Sequence, residues 1–485
     1  MKYKYFLKNL SIFTISNFIT KLLMFLMLPL YTSILTSKEY GTIDMITTTV
    51  NLAMPILTLC ITEAIIRFTI EENTNRKQIL LNSLNIAFKG YILLLIASIV
   101  AWIIGIELKI LIIFNIYYLV YTVSSLLTYY LKGLERIKII GWASVIRVIT
   151  LILLNCLLLL YLKLSVVGYY VSLIVSDIIV IIIYIYNLKK NKVVGNIVNK
   201  ETAILSEQNW KIEISFSNLL ENSKSSLIKY SKNFVLNSIS WWINNASDKY
   251  ILLLFYDLDI TGIYSVAYKI PTIIEFVQAI YSQAWQISAI KEYNKKNSVE
   301  FFSNMYKIYN IIIIFTVCLI LIFLKVISRI LFAKEFFIAW KYVPFLLLAI
   351  LFGALAGFLG SIYAANKDSK MYAKSTAIGA MTNIILNFLL IPSMAAHGAA
   401  VATCISYVIV WILRLIFMKK YMVLKINLKK DVTSYLLILV ICISVICLKT
   451  LIAEIIATTV LTIIILMYRK ELADLSKSVR KDFTK

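Results

Sequence analysis

The sequence predicts an all-α polytopic membrane protein of about 14 transmembrane helices, laid out as two six-helix lobes and two additional C-terminal helices. Three observations carry this. Of 485 residues, 61% are hydrophobic and 15% are charged, against roughly half and a quarter in soluble domains. The apolar excess is gathered into blocks of about 20 residues, the length that crosses a hydrocarbon core. Lysine and arginine collect in alternate connections between the blocks, the bias that keeps positive loops in the cytoplasm.

The blocks follow in order. The first, 12–31, is too long for a signal-peptide core and lacks a small-residue cleavage site, so it reads as a retained helix. The others are 43–66, 80–104, 110–131, 141–162, 165–187, 233–256, 262–287, 306–328, 342–364, 375–394, 397–417, 432–449 and 451–468. The turn at 449–454 is the weakest break; without it the last two blocks would form a re-entrant hairpin. The polar stretch 188–232 divides the chain, giving an N-terminal lobe at 1–187, a linker at 188–232, a C-terminal lobe at 233–418 and an appendage at 419–485.

Charge sets the expected orientation. Lys2, Lys4 and Lys8 precede the first block, Arg76 and Lys77 follow the second, and Lys132, Arg136 and Lys138 follow the fourth. The 188–232 linker adds eight lysines, and further clusters occur at 291–296, 367–374, 419–430 and 469–485. The opposite connections carry few, which places both termini in the cytoplasm. Lys325, Arg329, Lys334 and Lys341 break the pattern, and mark either a short helix on the outer surface or a misplaced ninth span. Topology thus accounts for most of the net charge of +24. Such a charge could also suit nucleic acid, anionic lipid or an anionic substrate, but no predicted soluble domain is large enough to carry a nucleic-acid site. The six cysteines lie mostly inside apolar runs, with no metal or disulfide spacing.

The two halves share a layout. Residues 131–155 align without gaps on 363–387, matching Gly133 with Ala365, Lys138 with Lys370 and Asn155 with Asn387. Each asparagine is followed by a break and a glycine that opens the next helix, Gly168 and Gly398. Asn17-x3-Lys21 corresponds to Asn245-x3-Lys249, the turn at 39–41 to that at 260–262, and Pro55 to Pro271. Both copies start on the same side, so the repeat is parallel, about an axis along the membrane normal.

These residues resemble a known group. Leu7-Lys8-Asn9, Lys21, Pro29-Leu30 and Leu35-x3-Glu39-Tyr40-Gly41 look like the opening of the polysaccharide-unit (O-antigen and capsule) flippases of the multidrug/oligosaccharidyl-lipid/polysaccharide exporter superfamily. Thr382 to Asn387, running through Leu390-Ile391-Pro392 to His397-Gly398-Ala399-Ala400, resembles the same family's eleventh helix; His397 departs from the small or polar residue expected there. The resemblance implies two six-helix lobes around a central cavity and alternating access. It implies a cargo of sugars joined through pyrophosphate to a polyprenol.

Such transport needs no covalent catalysis and no cofactor, although a proton or sodium gradient, or the membrane potential, could drive it. It needs a shielded polar path and a positive site for the phosphates. Cations inside spans are costly and mark such paths. Lys21 and Lys249, at matching places in the halves, are the foremost candidates for a cationic cavity. Lys269, Arg67 and Arg147 complete the candidate substrate-binding set. Each has a plainer role available: Arg67 could pair with Glu63 one turn earlier, while Lys269, Arg147 and Arg414 could snorkel to the interface. Asp44, Glu63, Asp177, Asp248, Glu275 and Glu454 are the buried acids that could carry a coupling ion. Asp248 points about 100° away from its neighbour Lys249 on a helix, so adjacency is not pairing. The 31 tyrosines could stack on sugar faces or populate the interfacial belts.

The leading expectation is a flippase for polyprenyl-pyrophosphate-linked oligosaccharide repeat units of O-antigen, capsule or a related polymer. It would act in the bacterial cytoplasmic (inner) membrane, with lipid and other polysaccharide assembly proteins as partners. A drug or cation antiporter of the same superfamily would favour buried carboxylates over cations. A membrane glycosyltransferase or polymerase would place its chemistry in a sizeable outer loop, and the predicted outer loops are short.

Overall fold

A computed structural model describes residues 22–23, 25–70, 75–190, 224–275, 278, 298–365 and 369–483. Every regular element among them is helical. The chain forms two compact units, Met1–Leu35 with Thr42–Trp242, and Thr36–Gly41 with Ile243–Lys485. Nine of the described helices are long and apolar enough to cross a membrane, or ten if one bent pair counts as a single span.

In the first unit α1 is Leu28–Ile34, α2 Ser37–Leu57, α3 Ile61–Ile70 and α4 Arg76–Ile103. Then follow α5 (Leu108–Gly133), α6 (Ile137–Asn155) and α7 (Ser165–Lys190). The block 43–66 proves to be the pair α2 and α3, bent by 56°. Pro55 carries no N–H, and the chain after it passes through Leu59 and Cys60 at φ 55° and 53°, with the Cys60 amide bonded back to Pro55 O. Asn75 caps α4, its side chain accepting from the Gln78 amide at 3.2 Å. Leu93, Ile96, Val100 and Ile103 of α4 are exposed, an apolar surface suited to lipid. The core lies where α5 packs on α3 and α7, with Leu126, Leu127 and Leu131 against Ile61, Ile65 and Val180. Leu227 belongs to this core, so the helical residues 224–231, which end the polar linker, pack into the first unit.

In the second unit α8 is Val235–Phe255 (its first turns belong to the first unit), α9 Leu258–Ala267, α10 Ser298–Ile322 and α11 Leu324–Leu331. A 3-10 segment, Lys334–Lys341, leads into α12 (Val343–Ala365) and α13 (Ser369–Met418). The 50 residues of α13 would run ~75 Å if straight, more than twice a hydrocarbon core. They are two spans joined at Ala395, which takes the non-helical angles φ 48°, ψ −131°. Pro392 removes a donor there, and a Cβ on Gly398 would lie 2.6 Å from Leu390 C. The last helices are α14 (Leu428–Cys447) and α15 (Thr450–Phe483), which pack together. The chain does break between them, at Leu448 and Lys449.

The ninth span is shifted from its expected place. Its helix, α10, ends at Ile322, so Lys325 and Arg329 fall on the separate short helix α11. Lys325 donates to Thr450 Oγ1 at 2.7 Å and lies over the Trp340 ring. The charge anomaly at 325–341 therefore falls beyond the ninth span, on a separate short helix and a 3-10 segment.

The paired glycines of the two halves meet in the second unit, and the stretches 39–41 and 260–262, expected as turns, are instead the first turns of α2 and α9. A Cβ on Gly41 would collide with Leu258 O and lie 3.2 Å from Gly262 N; one on Gly262 would collide with Ser37 O and lie 2.9 Å from Gly41 N. Ser37 stands four residues before Gly41 as Leu258 stands four before Gly262, so the contact is reciprocal. One residue earlier in each sits a helix cap. Thr36 and Glu39 form a capping box, and Asp257 accepts from the Ile260 amide at 2.9 Å. Only glycine allows backbones this close.

Candidate functional site

Polar side chains buried inside a membrane helix bundle are retained for a reason, because each must find partners or water. Each unit holds such a group. In the first unit Arg147 of α6 and Asp177 of α7 form a bidentate pair, Nε to Oδ1 at 2.5 Å and Nη2 to Oδ2 at 3.1 Å. The aspartate side chain is 3% exposed and the arginine 25%. The pair borders a cavity of about 210 Å³ between α5, α6 and α7. Asn155, ending α6, is fully buried and donates to Tyr31 Oη at 2.9 Å.

In the second unit the fully buried Asp248 of α8 anchors a larger network. Its Oδ2 accepts from Tyr264 and Tyr268, each at 2.7 Å, and its Oδ1 from the Lys249 amide at 2.9 Å. Tyr264 is four residues before Tyr268, so a turn of α9 continued into the following turn aims both hydroxyls the same way. Beside Asp248, Ser247 donates to Asn383 Oδ1 at 3.0 Å, and Asn387 donates to the same oxygen at 2.9 Å. Asn383 in turn donates to Thr403 at 3.2 Å, across the α13 kink. The Asn387 Oδ1 is buried with no hydrogen-bond partner among the described residues. Carboxylate, amide and hydroxyl oxygens thus converge on one buried region, a donor set suited to a proton or a small hard cation.

The expected site residues fall as follows. Lys21 lies outside the described residues. Lys249 is half-buried, its Nζ 5.6 Å from the Tyr268 ring centre, which brings it to the edge of the Asp248 network. Lys269 is half-buried in the turn between α9 and Pro271. Arg67 is exposed in the last turn of α3. Arg147 does not snorkel; Asp177 holds it. Nor does Arg414 snorkel. It is 4% exposed and donates to Ala356 O at 2.5 Å, Ser375 Oγ at 3.1 Å and Thr376 Oγ1 at 3.0 Å, with its guanidinium 4.3 Å from the Tyr372 ring centre. Neutral acceptors and a π face, rather than a carboxylate, hold this cation. His397 packs edge-on against Tyr342 at 4.7 Å, a packing role. The tyrosine pair and the Ser247 and Thr403 hydroxyls are the members that the sequence reading missed; the signal was Tyr264 and Tyr268 one turn apart beside a buried acid.

The profile of a family described as polysaccharide biosynthesis protein matches residues 6–286, more than half of the chain. The chain belongs to this family. A second profile, that of the lipid II flippase MurJ, matches residues 339–470. A probable low-salt glycan biosynthesis flippase, Agl15 of Haloferax volcanii, is 28% identical over 218 residues. That match spans 44% of the present chain and 46% of the relative, so it covers about half of each. In fold, the family member is similar to the lipid II flippase MurJ in an inward closed conformation, at 15% identity and a TM-score of 0.64, over 95% of this chain and 99% of that one. It is also similar to an inward-facing multidrug resistance MATE family transporter of the MOP superfamily, at 13% identity and a TM-score of 0.57, over 82% and 94%. The protein is therefore a multi-pass membrane protein of the polysaccharide biosynthesis protein family, with a MurJ- and MATE-like helical fold.

Proposed function

We propose that this protein translocates polyprenyl-pyrophosphate-linked oligosaccharide repeat units across a bacterial cytoplasmic membrane by alternating access, for O-antigen, capsule or a related surface polymer. The observation that carries this reading is the family match over residues 6–286, reinforced by the glycan flippase relative. The charge pattern supports it as well, with both termini in the cytoplasm. Lys21, Lys249, Lys269 and Arg67 are the cations assigned to the pyrophosphate, as point charges rather than bidentate clamps. Arg147 contributes little net charge to that task, being paired with Asp177. The protein does this without covalent chemistry of its own. Energy would enter through the Asp248 network, where uptake of a proton or a sodium ion changes the charge of a buried site.

Complementation of flippase-null strains, across donors of known repeat-unit structure, tests the reading. Restored surface polymer in at least one background is expected, with loss on Lys249→Ala or Lys21→Ala at normal membrane abundance. Failure in every background, with export of cationic drugs instead, would favour the second reading, a cation-coupled antiporter. The buried carboxylate of Asp248 is the feature that speaks for that alternative.

A further inference from the structure

The cavity beside Arg147 has a lining that the transport of a phosphate does not explain. On α5, Tyr121, Ser124, Ser125, Thr128 and Tyr129 all face it. Their spacing of i, i+3, i+4, i+7 and i+8 is one continuous helical stripe. Ser144 stands one turn before Arg147 on α6, and Tyr184 two turns after Asp177 on α7. Ser144 spends its own proton on a helix carbonyl, which leaves its oxygen as an acceptor toward the cavity, while the Thr128 hydroxyl lies between Ser124 O at 2.8 Å and Tyr184 Oη at 3.4 Å. Arg147 Nη1 and a second lone pair on each Asp177 oxygen are not used by the ion pair.

We propose that this cavity binds one sugar ring, as a neutral polyol, and serves as a glycan subsite inside the first unit. Four features fix the ligand class. The two charges cancel within the pair, so there is little net pull on a phosphate. A guanidinium and a carboxylate side by side offer donors and acceptors at the spacing of neighbouring ring hydroxyls. Tyrosine rings give flat apolar faces for the C–H side of the ring. The volume of about 210 Å³ lies below the roughly 300–1,000 Å³ of pockets that take drug-sized ligands, which suits a single ring.

The second unit fills this place differently, with the buried Arg414 bonded to Ser375 and Thr376 nearby. In the alignment of 131–155 on 363–387, Gly379 stands where Arg147 stands. A Cβ on Gly379 would already collide with Val410. Val410 in turn corresponds to Val180 of the cavity wall, in the register that pairs Gly168 with Gly398. The helices close there over a glycine; in the first unit they are held around an ion pair and a ring of hydroxyls. A buried ion pair is a weak source of stability compared with well-packed apolar residues, so a pair whose arginine opens onto a cavity points to a ligand.

That the sugar belongs to the transported cargo rests on the flippase reading; that the cavity takes a sugar does not. The test uses the purified full-length protein in detergent. Thermal midpoints are measured against methyl pyranosides of glucose, galactose, mannose, N-acetylglucosamine and N-acetylgalactosamine, and against sodium pyrophosphate. At least one pyranoside is expected to raise the midpoint saturably. Ser125→Trp, which fills the cavity, and the double variant Arg147→Gln/Asp177→Asn, which removes both charges together, are each expected to weaken that response roughly tenfold or more. The proposal is overturned if no pyranoside shifts the midpoint, if the shift survives in Ser125→Trp, or if only pyrophosphate responds and the double variant abolishes it. In complementing cells Ser125→Trp should cut surface polymer at normal abundance. Unchanged export in both variants would sink the subsite and leave the flippase reading standing. Pocket-dependent sugar binding without complementation in any background would do the reverse.

Discussion

The reciprocal glycine contact makes a sharp prediction about non-additivity. Gly41→Ala drives a Cβ into Leu258 O, and Gly262→Ala drives one into Ser37 O. Both obstacles are helix backbone, which cannot swing aside as a side chain would, so the two helices must separate. Overpacking of this kind costs about 1–3 kcal/mol. At roughly 2–4 °C per kcal/mol for a unit of this size, the thermal midpoint should fall by about 2–12 °C. Once one methyl has opened the crossing, the second meets a gap that already exists. The double variant should therefore lose less than the sum of the single losses, with a coupling of about 0.5–3 kcal/mol. Gly357→Ala is the control, because its Cβ would meet only Gln278 Nε2, the movable end of a side chain, at 3.1 Å. Thermal unfolding of the four proteins and the control in one detergent measures the cycle. Strict additivity, or single variants as stable as the control, would refute the close crossing.

Other perturbations follow from the polar groups. Arg147→Gln alone leaves the Asp177 carboxylate buried without its partner and should cost about 3–5 kcal/mol, whereas Arg147→Gln/Asp177→Asn should recover most of that loss in the same melting assay. Arg414→Lys keeps the charge but cannot reach Ala356 O, Ser375 and Thr376 at once; a loss of about 1.5–3 kcal/mol is expected. Gly360→Ala should weaken the same spot, since its Cβ would lie 2.6 Å from the Tyr372 ring and 3.1 Å from Arg414 Nη1. Tyr268→Phe removes one hydroxyl from Asp248 and should cost about 1–3 kcal/mol. Asp248→Asn should abolish any dependence of transport on an ion gradient, read as polymer export with and without an ionophore.

Much of the architecture was written in hydropathy, because a bilayer asks for long apolar helices and little else. Gly41 and Gly262 and the asparagines 155 and 387 could be paired from pattern alone, and the two glycines do touch, although in helices rather than the expected turns. The α8 block carries Asp248, Lys249 and several serines and asparagines, so its apolar signal is diluted while its helix is intact. What pattern could not supply was partnership. Arg147 and Asp177 lie on different helices, and only packing decides that they meet. Arg414 looked like a snorkelling residue because its distance from a helix end was visible, whereas the acceptors Ala356 O, Ser375 and Thr376 come from two other stretches of chain.

The start of α2 has a consequence for how the chain is made. Thr36–Gly41 belongs to the second unit although the helix they open continues in the first. Their local capping box can form as soon as Glu39 is synthesised. Their other partners arrive late: the Ser37 hydroxyl bonds Asp259, 222 positions on, and the Ser37 amide bonds Glu335 at 2.6 Å, 298 positions on. At about 5–20 residues per second, the first of these appears roughly 10–45 s after Ser37 leaves the ribosome. For that interval the glycine face of α2 is an open seam in the nascent membrane protein, held by its cap and by lipid, and the first half cannot be finished before the second has begun.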